Sequence, residues 1–293
     1  KRQVLNILAI FSFALVELGI PTIIAKIIDN GIANQNIAYI KQMGIVIVII
    51  SIIGVVGSIL LGYCSAKVST SVTRDIRNDI FEKSQEFSHT EYNKFGISSM
   101  ITRTTNDAFQ IQQFVNILLR TALLTPVMFI ISIIMTIRTS VELSIVLAIS
   151  VPFIIIGVAI IAKVSQAISS KQQKGLDKLN LISRENLTGI RVIRAFGNDD
   201  YETERFEKTN TYYANVSKKL FKLMSITQPA FFLLLNIAVL AVFWISSEKI
   251  NIGELQVGQL VAFLEYLFHA MFSIMLFSMV FIMYQEQRYL QIE

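Results

Sequence analysis

The chain reverses direction within residues 183–208, whose sequence is SRENLTGIRVIRAFGNDDYETERFEK. Apolar residues recur at three- to four-residue spacing in the first half of this stretch, which predicts one face of a helix. Gly197 then supplies a C-terminal stop, and Asn198 can cap a following helix whose first turn is acidic. We therefore predict that one long helix ends here and that a short helix crosses before the next long helix begins.

The composition departs from that of a soluble domain. Hydrophobic residues make up 53% of the 293 residues and charged residues only 16%, with a mean hydropathy of +0.58. Soluble domains have about 45–50% apolar and roughly 25% charged residues. Stretches of about 20 apolar residues can span a bilayer. The runs of this kind are 3–25, 42–66, 121–137, 143–162, 223–247 and 255–283. The first and the last each contain one acidic residue, Glu17 and Glu265. The sequence therefore predicts six membrane-spanning helices and no strands.

The distribution of charge indicates a membrane topology. The net charge is +5, but its placement does not indicate a nucleic acid partner. If the N-terminus is cytosolic, all Lys and Arg residues lie on the cytosolic side except Lys26, Lys41, Arg138 and Lys249, as the positive-inside rule expects. The first apolar run lacks a small-residue cleavage site after it, which favours a membrane helix over a signal peptide. The single cysteine, Cys64, excludes an intrachain disulfide.

The predicted helix lengths require two cytoplasmic extensions. Helix 1 is predicted from about residue 4 to residue 28, with a turn at Asp29-Asn30-Gly31. Helix 2, from about 37 to 90, would be about 75–80 Å long, whereas the hydrocarbon layer takes only about 30 Å. The chain should reverse near Gly96. The remaining helices are predicted from about 102 to 137, from 143 into the opening stretch, from 210 to 246 and from 255 onward. The fold class is therefore an all-α membrane protein with six long transmembrane helices and two cytoplasmic helical hairpins.

Several polar residues fall inside the predicted spans, where they are costly. Glu265 and His269 are four residues apart on helix 6, so they share a face and can pair. Glu17 and Glu265 either face substrate in a water-filled cavity or make structural hydrogen bonds. Lys26 lies close enough to a helix end to reach the interface. A metal site is not predicted, because His89 is the only other histidine.

A row of methionines follows the same helix. Its members, four residues apart, are Met271, Met275, Met279 and Met283. Such a row either packs against neighbouring helices or forms an adaptable wall for varied apolar ligands.

Four groups of motifs occur along the chain in a fixed order. They are Leu18-Gly19-Ile20-Pro21 with Ile28-Asp29-Asn30-Gly31, Phe95-Gly96 with Thr102-Arg103-Thr104-Thr105-Asn106-Asp107, Glu185 with Gly189-Ile190-Arg191-Val192, and Gly258-Gln259-Leu260-Val261-Ala262-Phe263 with Tyr266. Over about residues 4–283, the order and the sequences of these motifs resemble those of the transmembrane domain of a type I (type IV fold) ABC exporter. The motif sequences of helices 1 and 6 are most similar to those of bacterial multidrug half-transporters.

The resemblance implies partners and sites. Two half-transporters, identical or different, would form a domain-swapped dimer in the bacterial inner membrane, and nucleotide-binding domains would bind ATP and Mg²⁺. Coupling helix 1 would comprise Tyr92, Asn93, Lys94, Phe95, Gly96 and Ile97. Coupling helix 2 would comprise Asn198, Asp199, Asp200, Tyr201 and Glu202, with Phe196 beside it. From the polar and methionine positions we expect a substrate cavity lined by Glu17, Glu265, His269, Met271 and Met275.

The sequence contains no G-x-x-x-x-G-K-[ST] phosphate loop. We therefore expect residues 1–293 to be a transmembrane domain without a nucleotide-binding domain, catalytic residue, metal or cofactor of its own. After Met283 the chain also lacks the run of small residues that is usual in such exporters.

These observations favour the membrane-spanning part of an ATP-driven exporter that moves hydrophobic or amphipathic solutes (drug-like, lipid or peptide) by alternating access. One alternative is a proton-coupled secondary transporter that uses Glu17 and Glu265, although inverted repeats and broken spans are not visible. Another is a non-transporting membrane sensor built on the same fold. A nucleotide-binding domain in the same gene or next to it would distinguish these functions.

Overall fold

The computed structural model describes residues 2–290, apart from the side chains of residues 2–4, 89, 93, 94, 279 and 281–290. Within that range the chain forms helices and short connections, and none of the described residues lies in a strand. The helices are α1 (Arg2–Lys26), α2 (Ile37–Gln85), α3 (His89–Phe95), α4 (Ile97–Thr102), α5 (Ala108–Ile117), α6 (Leu124–Thr139), α7 (Val141–Phe196), α8 (Asp199–Asn251) and α9 (Val257–Leu290). Three π-helical segments, Ile27–Ile32, Arg103–Asp107 and Leu118–Ala122, continue the α-helices beside them. The all-α fold class is confirmed.

The described part of the chain contains six continuous helical segments that are long and apolar enough to cross a membrane. They are Leu5–Ile32, Ile37–Gln85, Ile97–Thr139, Val141–Phe196, Asp199–Asn251 and Val257–Ser278. Their order and number agree with the six predicted spans. Three of them have between 49 and 56 residues, which at about 1.5 Å per residue is well over twice the thickness of the hydrocarbon layer.

The predicted end of helix 1 is wrong by several residues. Asp29-Asn30-Gly31 was expected to be a turn, but the chain stays helical through Ile32 and reverses over residues 33–36. Gln35 adopts a positive φ of 53° within this reversal. The reason is a long-range contact, because the Gly258 backbone N–H donates to the Asp29 carboxylate at 2.6 Å and helps hold this segment against α9.

In the first of the two predicted hairpins, the long helix ends earlier than predicted. α2 stops at Gln85 rather than near residue 90, because Ser88 starts α3 with a capping box. Ser88 Oγ accepts from the Glu91 backbone N–H, and the Glu91 carboxylate accepts from the Ser88 backbone N–H. Gly96, with φ of 74°, then separates α3 from α4. The reversal predicted near Gly96 is confirmed.

The second of the two predicted hairpins has a simpler path than expected. Gly197 ends α7 with φ of 64°, as expected for a glycine stop. α8 starts at Asp199 and runs unbroken to Asn251, so the prediction of a separate short crossing helix is wrong. Residues 203–210 contain neither Gly nor Pro, and a helix has no local reason to stop there.

The chain divides into two compact units. The first consists of the residues up to 151 together with those from 238 onward. Its core lies between α1, α6 and α9, where the buried residues are Ala14, Leu18, Ala25, Met128, Ala262 and Tyr266. A second cluster, Ala9, Ile10 and Leu61, joins α1 to α2 and packs against Leu124 and Val127 of α6.

The second unit consists of residues 152–237, the facing parts of α7 and α8. Two polar contacts fix their antiparallel register: Gln172 donates to Ser217 Oγ at 2.9 Å, and Asn186 donates to Glu202 Oε2 at 3.2 Å. Ile182 of α7 is completely buried in this hairpin. The hairpin therefore has its own side-chain packing.

Candidate functional site

The tip of the α7–α8 hairpin carries two exposed aromatic side chains. Phe196 is the last residue of α7 and is 82% exposed, and Tyr201, in the first turn of α8, is 60% exposed. Asn198 lies in the connection, and Asp199 and Asp200 begin α8. The structure thus brings the residues predicted for coupling helix 2 together at one tip, although they form the start of a long helix rather than a short one.

A network of charged side chains braces this tip. Arg205 Nη2 lies 2.6 Å from Glu185 Oε2 on α7, and Arg205 Nη1 lies 3.3 Å from Glu202 Oε2 on its own helix. Asn186 also donates to Glu202. Glu202 therefore holds α7 and α8 together, whereas Phe196 and Tyr201 are left to face outward.

The tip of the first hairpin is α3, which covers residues 89–95 rather than the predicted 92–97. Tyr92 and Phe95 are each 37% exposed. The Phe95 ring stacks on Phe87 with centroids 5.4 Å apart, and the Arg103 guanidinium lies 5.3 Å from the same ring. Gly96 is the break after α3 and Ile97 already belongs to α4. The side chains of Asn93 and Lys94 lie outside the described residues.

Glu91 controls the first turn of α3 electrostatically. Its carboxylate accepts hydrogen bonds from the Ser88 hydroxyl at 2.7 Å and from the Ser88 N–H at 2.8 Å. These bonds favour the charged form and hold the pKa of Glu91 below its ordinary value. Protonation of Glu91 would weaken these hydrogen bonds, so we expect the start of this tip to loosen in acid.

Two of the predicted polar residues lie within electrostatic range of a third, and we call the three, Glu17, Glu265 and His269, the polar cluster. Glu17 of α1 and Glu265 of α9 both lie within electrostatic range of the His269 ring. Glu265 is exposed, while Glu17 and His269 are half-buried. Among the described side chains no ion pair forms between Glu265 and His269, so the predicted pairing reduces to a shared face. The described part of the chain contains no group of three or more His, Cys, Asp or Glu residues that could hold a metal ion.

The methionine row is divided by burial. Met271 is fully buried in the core of the first unit, whereas Met275 is only half-buried. Met271 therefore packs against its neighbours and does not face open space in this structure. The side chains of Met279 and Met283 lie outside the described residues.

Contacts between α1 and α9 were missed at the level of sequence. Thr22 Oγ1 and Tyr266 Oη are 2.6 Å apart, and Asp29 accepts from the Gly258 N–H. Asp29, Gly258 and Tyr266 all stand in the motifs quoted above, so the motifs contained the signal. Their pairing could not be read from local patterns, because the partners are more than 200 residues apart.

Comparison with known proteins identifies the family of this arrangement. The family described as ABC transporter transmembrane region matches residues 4–283. The chain belongs to this family. As an ABC transporter transmembrane region with six apolar helices, it is a multi-pass membrane protein, and the resemblance to the type IV exporter fold is confirmed.

Relatives of this ABC transporter region are bacterial proteins with an ATP-binding description. The uncharacterized ABC transporter ATP-binding protein YfiB of Bacillus subtilis is 34% identical over 86% of this chain and 44% of its own length. The uncharacterized ABC transporter ATP-binding protein Rv1273c of Mycobacterium tuberculosis is 30% identical over 90% of the chain and 46% of its own length. A putative export ATP-binding/permease protein of Rickettsia bellii is 24% identical over 93% of the chain and 48% of its length. The chain thus spans about half the length of these relatives.

Proposed function

We propose that this chain is the membrane-spanning part of an ATP-driven exporter that moves hydrophobic or amphipathic solutes by alternating access. The observation that carries the proposal is the α7–α8 tip, where Phe196 and Tyr201 are exposed at the end of two helices. Both helices continue many residues beyond the apolar runs that cross the membrane. A purely membrane-embedded transporter would have no use for such extensions. The relatives named as ATP-binding proteins support the same function.

The proposed partners follow from this geometry. Aromatic side chains are frequent anchors in protein interfaces because they bury a large apolar area with little loss of conformational freedom. Tyr201 and Phe196 would insert into one nucleotide-binding domain, and Tyr92 and Phe95 of α3 would contact a domain at the other tip. These domains would bind ATP and Mg²⁺. A second half-transporter would complete a domain-swapped dimer in the bacterial inner membrane.

The polar cluster supports a substrate-facing position within the proposed cavity. Glu17 and Glu265 put two carboxylates near one imidazole, and an exposed carboxylate in a region of low dielectric attracts cations strongly. Hydrophobic or amphipathic solutes that carry a positive charge are therefore the class that this cavity would favour. Met275 would supply an adaptable apolar contact beside them.

The test replaces Tyr201 by Ala in the complete transporter and measures thermal unfolding, ATP hydrolysis and solute flux on the same preparation. Loss of an anchor should remove about 1–3 kcal/mol from the contact, so flux per ATP hydrolysed should fall while the protein still folds. Tyr212→Ala is the matched control, because Tyr212 is a half-exposed tyrosine of the same helix several turns from the tip. Unchanged flux per ATP in Tyr201→Ala, or an equal loss in both variants, would contradict the proposal.

A further inference from the structure

α7 and α8 of the second unit each include a segment that contains lysines and no acidic residue. Residues 143–176 of α7 and 209–247 of α8 contain no Asp or Glu. Six exposed lysines lie in these segments. The sixth is Lys174, and the five nearest to the ends of the apolar runs, which we call the lysine belt, are Lys163, Lys171, Lys218, Lys219 and Lys222. None of the five has an ion-pair partner among the residues that the structure describes.

The register of the hairpin places two of these lysines, Lys171 and Lys218, at the same height along the helices. The contact between Gln172 and Ser217 brings Lys171 opposite Lys218. Gly175 confirms the same register, since a Cβ there would lie 3.5 Å from the ring of Tyr213. Like charges on facing helices repel each other unless an anion lies between or beside them. Neither helix segment supplies a carboxylate that could offset this repulsion, so an offsetting negative charge would come from outside them.

The position of the belt indicates where that charge comes from. Lys163 directly follows the apolar run 143–162, and Lys222 directly precedes the run 223–247. The polar headgroup layer is roughly 5–8 Å thick on each side of the hydrocarbon. Lys163 and Lys222 thus lie within this layer. Lys171 is about 12 Å further along α7 by helical rise, and its flexible stem can carry the ammonium group back toward the interface.

We infer that the lysine belt is a binding surface for the headgroups of anionic phospholipids in the cytoplasmic leaflet. Each lysine near a membrane surface favours anionic over zwitterionic lipid by roughly fivefold, and this preference is screened by salt. The surface concentrates anionic lipid around α7 and α8. It requires neither ATP nor solute, so it can hold or fail independently of the proposed transport activity.

The chain offers a pair of reporter positions on α8 for testing this inference. Phe221, next to Lys222, is 63% exposed and suits a tryptophan at the cytoplasmic end of the apolar run. Trp244, the only tryptophan of the chain, is 84% exposed near the other end of the run. We would prepare the complete transporter in nanodiscs, with every tryptophan outside residues 1–293 replaced by phenylalanine. Trp244 serves as the outer reporter, and Phe221→Trp with Trp244→Phe serves as the inner reporter. Quenching by brominated phosphatidylglycerol is compared with quenching by brominated phosphatidylcholine at each position.

The expected result is a preference for phosphatidylglycerol at position 221, several-fold stronger than at position 244, that disappears at about 0.5 M salt. Lys222→Gln should lower the preference roughly fivefold, and Lys218→Gln with Lys219→Gln should lower it further. Lys208→Gln is the control, because Lys208 pairs with Glu204 at 2.7 Å and lies farther from the apolar run. That variant should keep the full preference.

Three outcomes would overturn the inference. Equal association of the two lipids at position 221 would show that the belt does not select headgroups. A preference that survives the lysine substitutions, or that is the same at position 244, would assign it to something other than the belt. Loss of the preference on adding millimolar inorganic phosphate at constant ionic strength would assign the belt to a soluble phosphate ligand instead.

Discussion

Gly258 leaves no room for a larger residue beside α1. A Cβ at this position would lie 2.6 Å from Asp29 Oδ2 and would also collide with the backbone carbonyl oxygen of Ala25. The Gly258 N–H donates to the same Asp29 carboxylate. This single glycine therefore permits both the close approach of α1 to α9 and the hydrogen bond between them.

Gly258→Ala should destabilise the protein by about 1–3 kcal/mol, because α1 or α9 must shift to relieve the overlap. The measurement is thermal unfolding of the purified transporter. Gly44→Ala is the matched control, since a Cβ at Gly44 would meet nothing within 4 Å and alanine stabilises a helix interior by about 0.5–1 kcal/mol relative to glycine. Equal unfolding temperatures for the two variants would refute the tight contact.

Glu265→Gln should weaken the recognition of cationic solutes, because it removes an exposed carboxylate from the cluster with Glu17 and His269. Loss of about 1–2 kcal/mol of binding free energy would raise the apparent dissociation constant of a cationic solute five- to thirtyfold. Neutral solutes should be transported nearly as before. Flux of one cationic and one neutral solute checks this, with Glu248→Gln as the control at an exposed acid outside the apolar run. Equal loss for both solutes would indicate a structural role for Glu265.

The helices themselves show what a sequence can and cannot determine. The apolar runs predicted all six spans because a bilayer imposes a minimum length of apolar sequence. Gly197 and Gly96 predicted both hairpin reversals because only glycine adopts their positive φ easily. The predictions of a turn at Asp29-Asn30-Gly31 and of a short crossing helix were wrong. A contact with distant Gly258 keeps the first segment helical, and no breaker interrupts α8. The cluster of Glu17 with His269 joins α1 to α9 and depends on packing that local patterns do not specify.

The start of α3 should loosen in acid. Hydrogen bonds from Ser88 lower the pKa of Glu91 in the folded state. Its stabilising contribution is therefore complete above the unfolded value of 4.5 and is lost as the pH falls through the lower folded value. A spin label at exposed Thr90 should become more mobile below about pH 4.5. In Glu91→Ala, which removes the acceptor of the capping box, the label should already be mobile and should not respond to pH. A pH response that persists in this variant would assign it to another group.

The whole molecule comprises two compact units and two helical hairpin tips. The first unit contains the polar cluster and the α1–α9 contacts, and the second contains the lysine belt and the braced α7–α8 hairpin. Because the chain spans about half the length of its relatives, the proposed exporter depends on nucleotide-binding domains that act on these tips. The proposed coupling of ATP hydrolysis to transport therefore depends most on one contact, between the α7–α8 tip and such a domain.

A photocrosslinking amino acid at position 201 tests that contact most directly. In the complete transporter, p-benzoylphenylalanine in place of Tyr201 should crosslink to a nucleotide-binding domain, identified by mass spectrometry of the joined peptides. The same amino acid in place of Tyr212, several turns away on α8, should give no such product. Crosslinking of position 201 only to lipid or to its own hairpin, with the transporter folded and hydrolysing ATP, would contradict the proposed docking of this tip on a nucleotide-binding domain.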